Sequence, residues 1–529
     1  MKILQEKVVR TVKKKYLRQF MDSMLWTIPL FWGVVLGFVW KDFPDLLHQK
    51  STWLYTLIAS VLIYLWLTTE FCCRPSPDSM LEEKRQAQQK VVRRELRSKK
   101  PEGVLFGKQG KSYIRKPIAS DGHVLVLGGS GSGKSSSGVI PTILANPETS
   151  VFAIDIKGEL SYKATKRTDS QVKVVDPSDR YSSGYDPLYL LTSDSTETEI
   201  YETMRLISES LISLPADLKD PFWKTSARNL LSGLLIYYYK SGTKTFIGLV
   251  DKILSKPIKD SVKEIMENAD AVSSERRYMV QFVDLAEETL GGIVTEMNNH
   301  LILFANDRDI RYALRDNPNK ATPILLNQGY SMYLSIQEHK LAAYYDFLQL
   351  VLNQMFFEME QRSETARPVL FIIDELPRIL SAGKIERLLD GAKTLRSRKV
   401  TLYLIIQSVE ALMNAYSESQ AIDLISNCQY IMILDAASTK TQKIIIEWAG
   451  KFLHRKKSWS NGASKSSIST SFEEKNLIDA ADIMQLKQKK KVMLVSPYGF
   501  YIIDKNPYYE DPVLSALSAD CVTCNKNIK

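Results

Sequence analysis

HVLVLGGSGSGKSSSGVIPTIL, His123 to Leu144, sets a glycine-rich turn ending in Lys-Ser between two apolar runs. Its middle, Gly128 to Ser135, fits G-x-x-x-x-G-K-[ST], with a predicted strand before it and a predicted helix after it. Such glycines let the backbone N–H groups of Gly128, Gly129, Ser130, Gly131, Ser132, Gly133, Lys134, Ser135 and Ser136 wrap a polyphosphate, and the helix N-terminus adds partial positive charge. In that arrangement Lys134 reaches the β and γ phosphates and the Ser135 hydroxyl ligates Mg²⁺. A purely structural glycine turn needs neither the lysine nor both flanks. The stretch therefore predicts an ATP and Mg²⁺ site on an α/β fold.

Turnover at such a site also requires carboxylates. In PVLFIIDEL, five apolar residues follow Pro368 and end in Asp374 and Glu375. Open α/β sheets bind ligands at the C-terminal ends of their strands. Asp374 is thus the candidate for the Mg²⁺ shell and Glu375 the general base that polarises the attacking water. TLYLIIQ puts Gln407 at the end of another apolar strand, level with Asp374 if the two strands are neighbours. An amide there either orients water or simply ends a strand. Arg396 and Arg398, in LRSRK just upstream, are ordinary surface charges unless a ring brings one of them to a neighbour's nucleotide as a trans finger.

Short β-branched runs alternate with helical patterns from about Gly103, which predicts a parallel sheet flanked by helices. From about Ser195 to Asn317 the pattern is helix after helix. The expected organisation is a nucleotide-binding α/β domain over 103–194 and 318–510 with an all-α insertion at 195–317. A juxtamembrane linker over 76–102 precedes it and a tail over 511–529 follows. LLSGLL, Leu230 to Leu235, lies on an apolar helical face and reads as core. Ser458 to Ser471 holds seven serines and reads as a loop. Cys521 and Cys524 form a CxxC with no second ligand pair, so they read as part of a solvated tail.

Charge is unevenly distributed. Residues 1–120 hold 22 Lys and Arg against 10 Asp and Glu, an excess of +12 that leaves −2 for the other 409 residues of this +10 chain. The basic balance thus belongs to the N-terminal region. That region contains two uncharged apolar runs, Ser23 to Trp40 and Ser51 to Thr69, each long enough at 1.5 Å per residue to cross a hydrocarbon core of about 30 Å. Tryptophans at their ends suit membrane interfaces. The expectation is an anchor over 1–75 with helices at about 23–40 and 51–70. Basic residues cluster before the first run and after the second, which places both termini in the cytoplasm.

Taken together these motifs resemble the type IV secretion coupling proteins of the TraG type. The resemblance rests on the phosphate-loop segment, on DIKGEL (Asp155 to Leu160, with Ile156 where the family has proline) and on YDPL (Tyr185 to Leu188). It rests also on DPFWKTSARNLL (Asp220 to Leu231), on the block Ile373 to Ser417 and on SNC (Ser426 to Cys428). The resemblance implies a membrane-anchored, RecA-like ATPase with an all-α domain that assembles as a homo-hexamer. It implies recruitment of relaxase-bound single-stranded DNA, or of protein, to a secretion channel. It also gives Arg396 the finger role, with Arg398 second. An FtsK-like double-stranded DNA pump, a protein-only secretion ATPase and a non-hydrolysing membrane scaffold are the alternatives.

Overall fold

Uncharged runs such as VLVL, SVFAI and VLFII are buried along their whole length, which is what a strand covered by helices on both faces requires. The computed structural model describes residues 94–164, 171–214, 218–462 and 465–526. Its strands in chain order begin with β1 (Arg97–Ser98), β2 (Val104–Gln109), β3 (Ser112–Lys116) and β4 (Val124–Leu127). Next come β5 (Ser150–Ile154), β6 (Val172–Val175), β7 (Gly184–Tyr185) and β8 (Lys320–Ala321). They are followed by β9 (Ser331–Leu334), β10 (Val369–Ile373), β11 (Val400–Ile406) and β12 (Tyr430–Ile433). The last four are β13 (Lys451–Gly462), β14 (Lys465–Asn476), β15 (Lys491–Ser496) and β16 (Gly499–Asp504).

Twelve of these form one sheet in the order β1-β3-β2-β16-β15-β12-β4-β11-β10-β5-β9-β6. Neighbours from β12 to β6 are parallel, and the pairs from β12–β15 outward to β3–β1 are antiparallel. The phosphate-loop strand β4 is therefore separated from the carboxylate strand β10 by β11 alone. Phe371 of β10 packs against Phe152 of β5 at 4.6 Å and against Phe356 of the helix Tyr345–Gln361 at 4.9 Å between ring centroids. Aromatic burial of this kind is worth about 3–5 kcal/mol on truncation to alanine. It holds rigid the strands that carry the candidate acids.

Between β7 and β8, among the described residues, the chain forms only helices, from Glu197–Leu211 to Arg308–Ala313. A capping box of Thr196 and Glu199 starts the first. The parallel pairing Gly184↔Lys320 and Tyr185↔Ala321 brings the two ends of this stretch together. Leu230, Leu231, Leu234 and Leu235 are buried, as their apolar face implied.

Two expectations are corrected. The serine-rich stretch is not a loop but lies in a two-stranded antiparallel hairpin, β13–β14, paired from Lys451↔Asn476 to Gly462↔Lys465. The ladder satisfies the backbone groups whatever the side chains are, so a serine-rich composition does not exclude a strand. Residues 449–477 fall outside the compact unit that contains the sheet. Nor is 511–526 a solvated tail. Pro512–Lys526 is a helix that packs on the helix Leu160–Ala164, with the Ser518 hydroxyl donating to the Lys163 carbonyl at 2.9 Å and Cys521 buried. Among the described residues no helix is long and apolar enough to cross a membrane. The two apolar runs at 23–40 and 51–70 lie outside the described residues.

Candidate nucleotide site

The sheet order delivers the candidate residues side by side. Ile406 of β11 is level with Leu127 of β4, Ile373 of β10 with Leu404 of β11, and Ile154 of β5 with Ile373. The chain leaves these four parallel strands at Gly128, Gln407, Asp374 and Asp155, all on one edge of the sheet. A cavity of about 300 Å³ opens there, lined among others by Gly131, Lys134, Ser135, Lys157, Glu375 and Tyr508.

The loop from Gly128 is built by its glycines. Gly131 and Gly133 adopt φ of 68° and 84°, a region costly for any residue with a Cβ. The helix then opens with a π-type turn over Ser135–Val139, in which the Ile140 N–H reaches the Ser135 carbonyl. Pro141 follows in the first turn of Ile140–Leu144, where the missing N–H of a proline is tolerated. Lys134 lies back on its own loop, its Nζ donating to the carbonyls of Gly128 at 2.8 Å and Gly129 at 2.9 Å. Burial lowers its pKa, against the pull of Glu375, Asp374 and Asp435.

Asp374 is 3% exposed, and its Oδ1 has no hydrogen-bond partner. Burial, and then the adjacent charge of Glu375, push its pKa up to about 6. An orphaned carboxylate oxygen near a hydroxyl-bearing phosphate loop is the hard-oxygen chemistry that Mg²⁺ takes, so Asp374 and Ser135 fit that ion. Glu375 sits at φ 54°, in the left-handed region, a strain of about 1–2 kcal/mol for a non-glycine residue. Its Oε1 accepts from Lys157 Nζ at 2.8 Å and its Oε2 pairs with Arg378 Nε at 3.0 Å. Burial works to raise its pKa, but Lys157, Arg378 and Lys134 together outweigh burial and lower it.

Residues 76–529 match the family model described as type IV secretory system conjugative DNA transfer. The chain belongs to that family. Among relatives, the type IV secretion system-coupling protein VirD4 of Bartonella quintana (strain Toulouse) is 23% identical over 404 residues, 70% of this chain and 60% of that protein. The VirD4 of Bartonella henselae is also 23% identical, with the same coverage. This chain thus spans about 60% of the length of the curated relatives it matches. Among solved structures, the unbound bacterial conjugative coupling protein TrwBdeltaN70 aligns with a TM-score of 0.60 at 14% identity, covering 79% of this chain and 91% of that one. TrwB with a non-hydrolysable ATP analogue (13% identity, 92% of that chain) and TrwB with ADP and Mg²⁺ (14%, 91%) each give a TM-score of 0.58 over 79% of this chain. The likeness establishes a shared mixed α/β fold.

For this member of the family, the remaining predicted residues divide into two groups. Gln407 follows β11 directly and is level with Gly128, whose N–H donates to the Ile406 carbonyl at 3.2 Å. Arg396 and Arg398 precede β11. Seven residues at about 3.3 Å each separate them from the cavity edge. There Arg396 Nε lies 3.8 Å from Asp121, and Arg398 donates to the Arg362 carbonyl at 3.1 Å. The structure does not bring either arginine to its own cavity.

Sequence reasoning missed four contributors. Arg378 carried a local signal, three residues after Glu375 on the helix Leu376–Ala382. Lys157 stood in a motif without a role. Lys505, just past β16, donates to the Ser132 carbonyl. An added Cβ on Gly129 would sit 3.3 Å from Asp435, which places that acid beside the loop. Nothing in the sequence ties Lys505 or Asp435 to it.

Proposed function

We propose that this chain is a membrane-anchored coupling ATPase that brings relaxase-bound single-stranded DNA, with or without protein, to a type IV secretion channel and drives transfer by hydrolysing ATP in a homo-hexameric ring. The observation that carries the reading is the convergence of the phosphate loop, Asp374–Glu375 and Gln407 at one sheet edge in a chain of the conjugative DNA transfer family. In the cycle we envisage, Lys134 leaves the Gly128 and Gly129 carbonyls for the β and γ phosphates, while the amides of Gly128–Ser136 wrap the chain of phosphates. Ser135 and Asp374 would hold Mg²⁺, which would supply neutralisation of the phosphate charge. Glu375 accepts the proton of the attacking water, Gln407 orients that water, and Arg396 reaches in from the adjacent protomer. The runs at 23–40 and 51–70 anchor the chain, with both termini cytoplasmic.

DNA as cargo is favoured by one further feature. Residues 451–476, the hairpin, hold six Lys and Arg against two Glu in a chain whose residues 121–529 otherwise lean acidic. A cation-rich ribbon suits a phosphate backbone. The test is steady-state ATP hydrolysis by the full chain and by Glu375→Gln, with single-stranded DNA, double-stranded DNA or neither. Stimulation by single strands, abolished in Glu375→Gln, is expected. Preference for duplex would favour an FtsK-like pump, and no DNA effect a protein-only exporter. Absence of hydrolysis by the wild-type chain under all three conditions would point to a non-hydrolysing scaffold.

A further inference from the structure

The loop that follows β5 has no assigned role, yet it reaches the candidate base. β5 and β10 pair residue for residue from Ser150↔Val369 to Ile154↔Ile373, so Asp155 and Asp374 leave the sheet next to each other. Asp155 is locked in place. It is 1% exposed, its N–H donates to the Leu334 carbonyl at 2.9 Å, and its carboxylate accepts from Glu159 N at 3.1 Å and Leu160 N at 2.7 Å. These bonds make the turn that a proline at position 156 would otherwise set; Ile156 instead is buried beneath it. Lys157 projects from this fixed turn.

Three features of Lys157 bear on what it does. Its Nζ bonds Glu375 Oε1, and its side chain is half exposed while Glu375 is not. It lines the same cavity as Lys134 and Ser135. Its charge acts on Lys134, with which it would share the γ phosphate. Glu375 does not depend on Lys157 alone, because Arg378 holds the other oxygen and is itself paired with Glu338. A half-exposed ammonium that leaves one anion for a second, more highly charged anion in the same cavity loses little hydration and regains a charge-assisted bond.

We infer that Lys157 is the residue that distinguishes nucleoside triphosphate from diphosphate: it pairs with Glu375 while the cavity is empty and transfers to the terminal phosphate when a triphosphate binds, leaving Glu375 on Arg378 alone and one oxygen open to water. The inference rests on reading the cavity as a nucleotide site. In the empty state both Glu375 oxygens are occupied by cations, Lys157 on one and Arg378 on the other. The transfer frees one Glu375 oxygen for water only when there is a terminal phosphate to attack. Lys157 is thus both a specificity-determining residue and a positioning residue for Glu375.

The test is equilibrium binding of a non-hydrolysable ATP analogue and of ADP, each with Mg²⁺, to the full chain and to its Lys157→Gln and Lys157→Arg variants. Lys157→Gln should weaken the analogue about tenfold, as loss of one charge-assisted bond does, and leave ADP within about twofold. Lys157→Arg should keep the discrimination. Equal weakening of both nucleotides would make Lys157 a structural part of the turn, and no change in either would remove it from the site; both results overturn the inference. A wild-type chain that discriminates but does not hydrolyse ATP overturns the proposed function and leaves this inference standing. One that binds neither nucleotide ends both.

Discussion

The Tyr508 N–H donates to the Ser136 carbonyl at 2.9 Å, so the segment after the last strand of the sheet lies over the phosphate loop. Lys505 of the same segment bonds the Ser132 carbonyl, and Tyr508 and Tyr509 line the cavity. Burial, with Lys487 adding to it, lowers the pKa of Lys505. Lys505→Ala should therefore weaken nucleotide binding about three- to tenfold while shifting the thermal midpoint by less than about 2 °C. Titration with a fluorescent nucleotide and a thermal melt check both halves.

Asp374 should couple nucleotide-metal binding to pH. Its pKa in the folded chain, about 6, is above the ordinary 3.8, so the empty chain is favoured with this group protonated. That contribution to stability is fully present below the unfolded value and is lost as pH rises through 6. Mg²⁺ must displace the proton, so its apparent affinity should fall about tenfold per pH unit below 6 and level off above it. Asp374→Asn should abolish this dependence and turnover, and stabilise the nucleotide-free chain at pH 7 by about 1–3 kcal/mol. Calorimetric Mg²⁺-nucleotide titrations from pH 5 to 8 and denaturant melts are the measurements. A flat pH response would place the metal elsewhere.

Arg396 cannot serve its own cavity, because β11 stands between them. Arg396→Ala should cost at least about a hundredfold in turnover with nucleotide binding intact. Mixed with Lys134→Ala protomers, it should recover activity up to about a quarter of wild type, since random rings form some junctions with both residues intact. If the mixture stays as inactive as its parts, the arginine has no role in trans, and Arg398→Ala is then the comparison to make.

The hairpin's cations should carry part of the response to DNA. Replacing Arg455, Lys456 and Lys457 by Gln should flatten the salt dependence of single-stranded DNA affinity by about 2 in the log–log slope, at roughly 0.7 for each charge. Fluorescence anisotropy across a salt series reads that slope. An unchanged slope would move the DNA contacts off residues 451–476.

Much of the site was legible because its parts are local. The spacing of Gly128, Gly133, Lys134 and Ser135 defines a cradle within eight residues, and VLFII ending in Asp374-Glu375 is a buried strand with acids at its C-terminal end. The hairpin was not legible, because serine-rich composition says little about a ladder held by backbone bonds. Neither was the C-terminal helix, whose contact with Leu160–Ala164 joins segments far apart in the chain.

By itself the sequence determined the chemistry available: a glycine-rich loop ending in Lys134-Ser135, a paired acid and an α/β scaffold, each encoded by spacing and period over a few residues. Only the tertiary structure decided the partners, because the order of strands in the sheet differs from their order in the chain. That order sets Lys157 on Glu375 across 218 residues, lays Lys505 on Ser132 across 373, and puts Arg396 at the far end of β11 from the cavity.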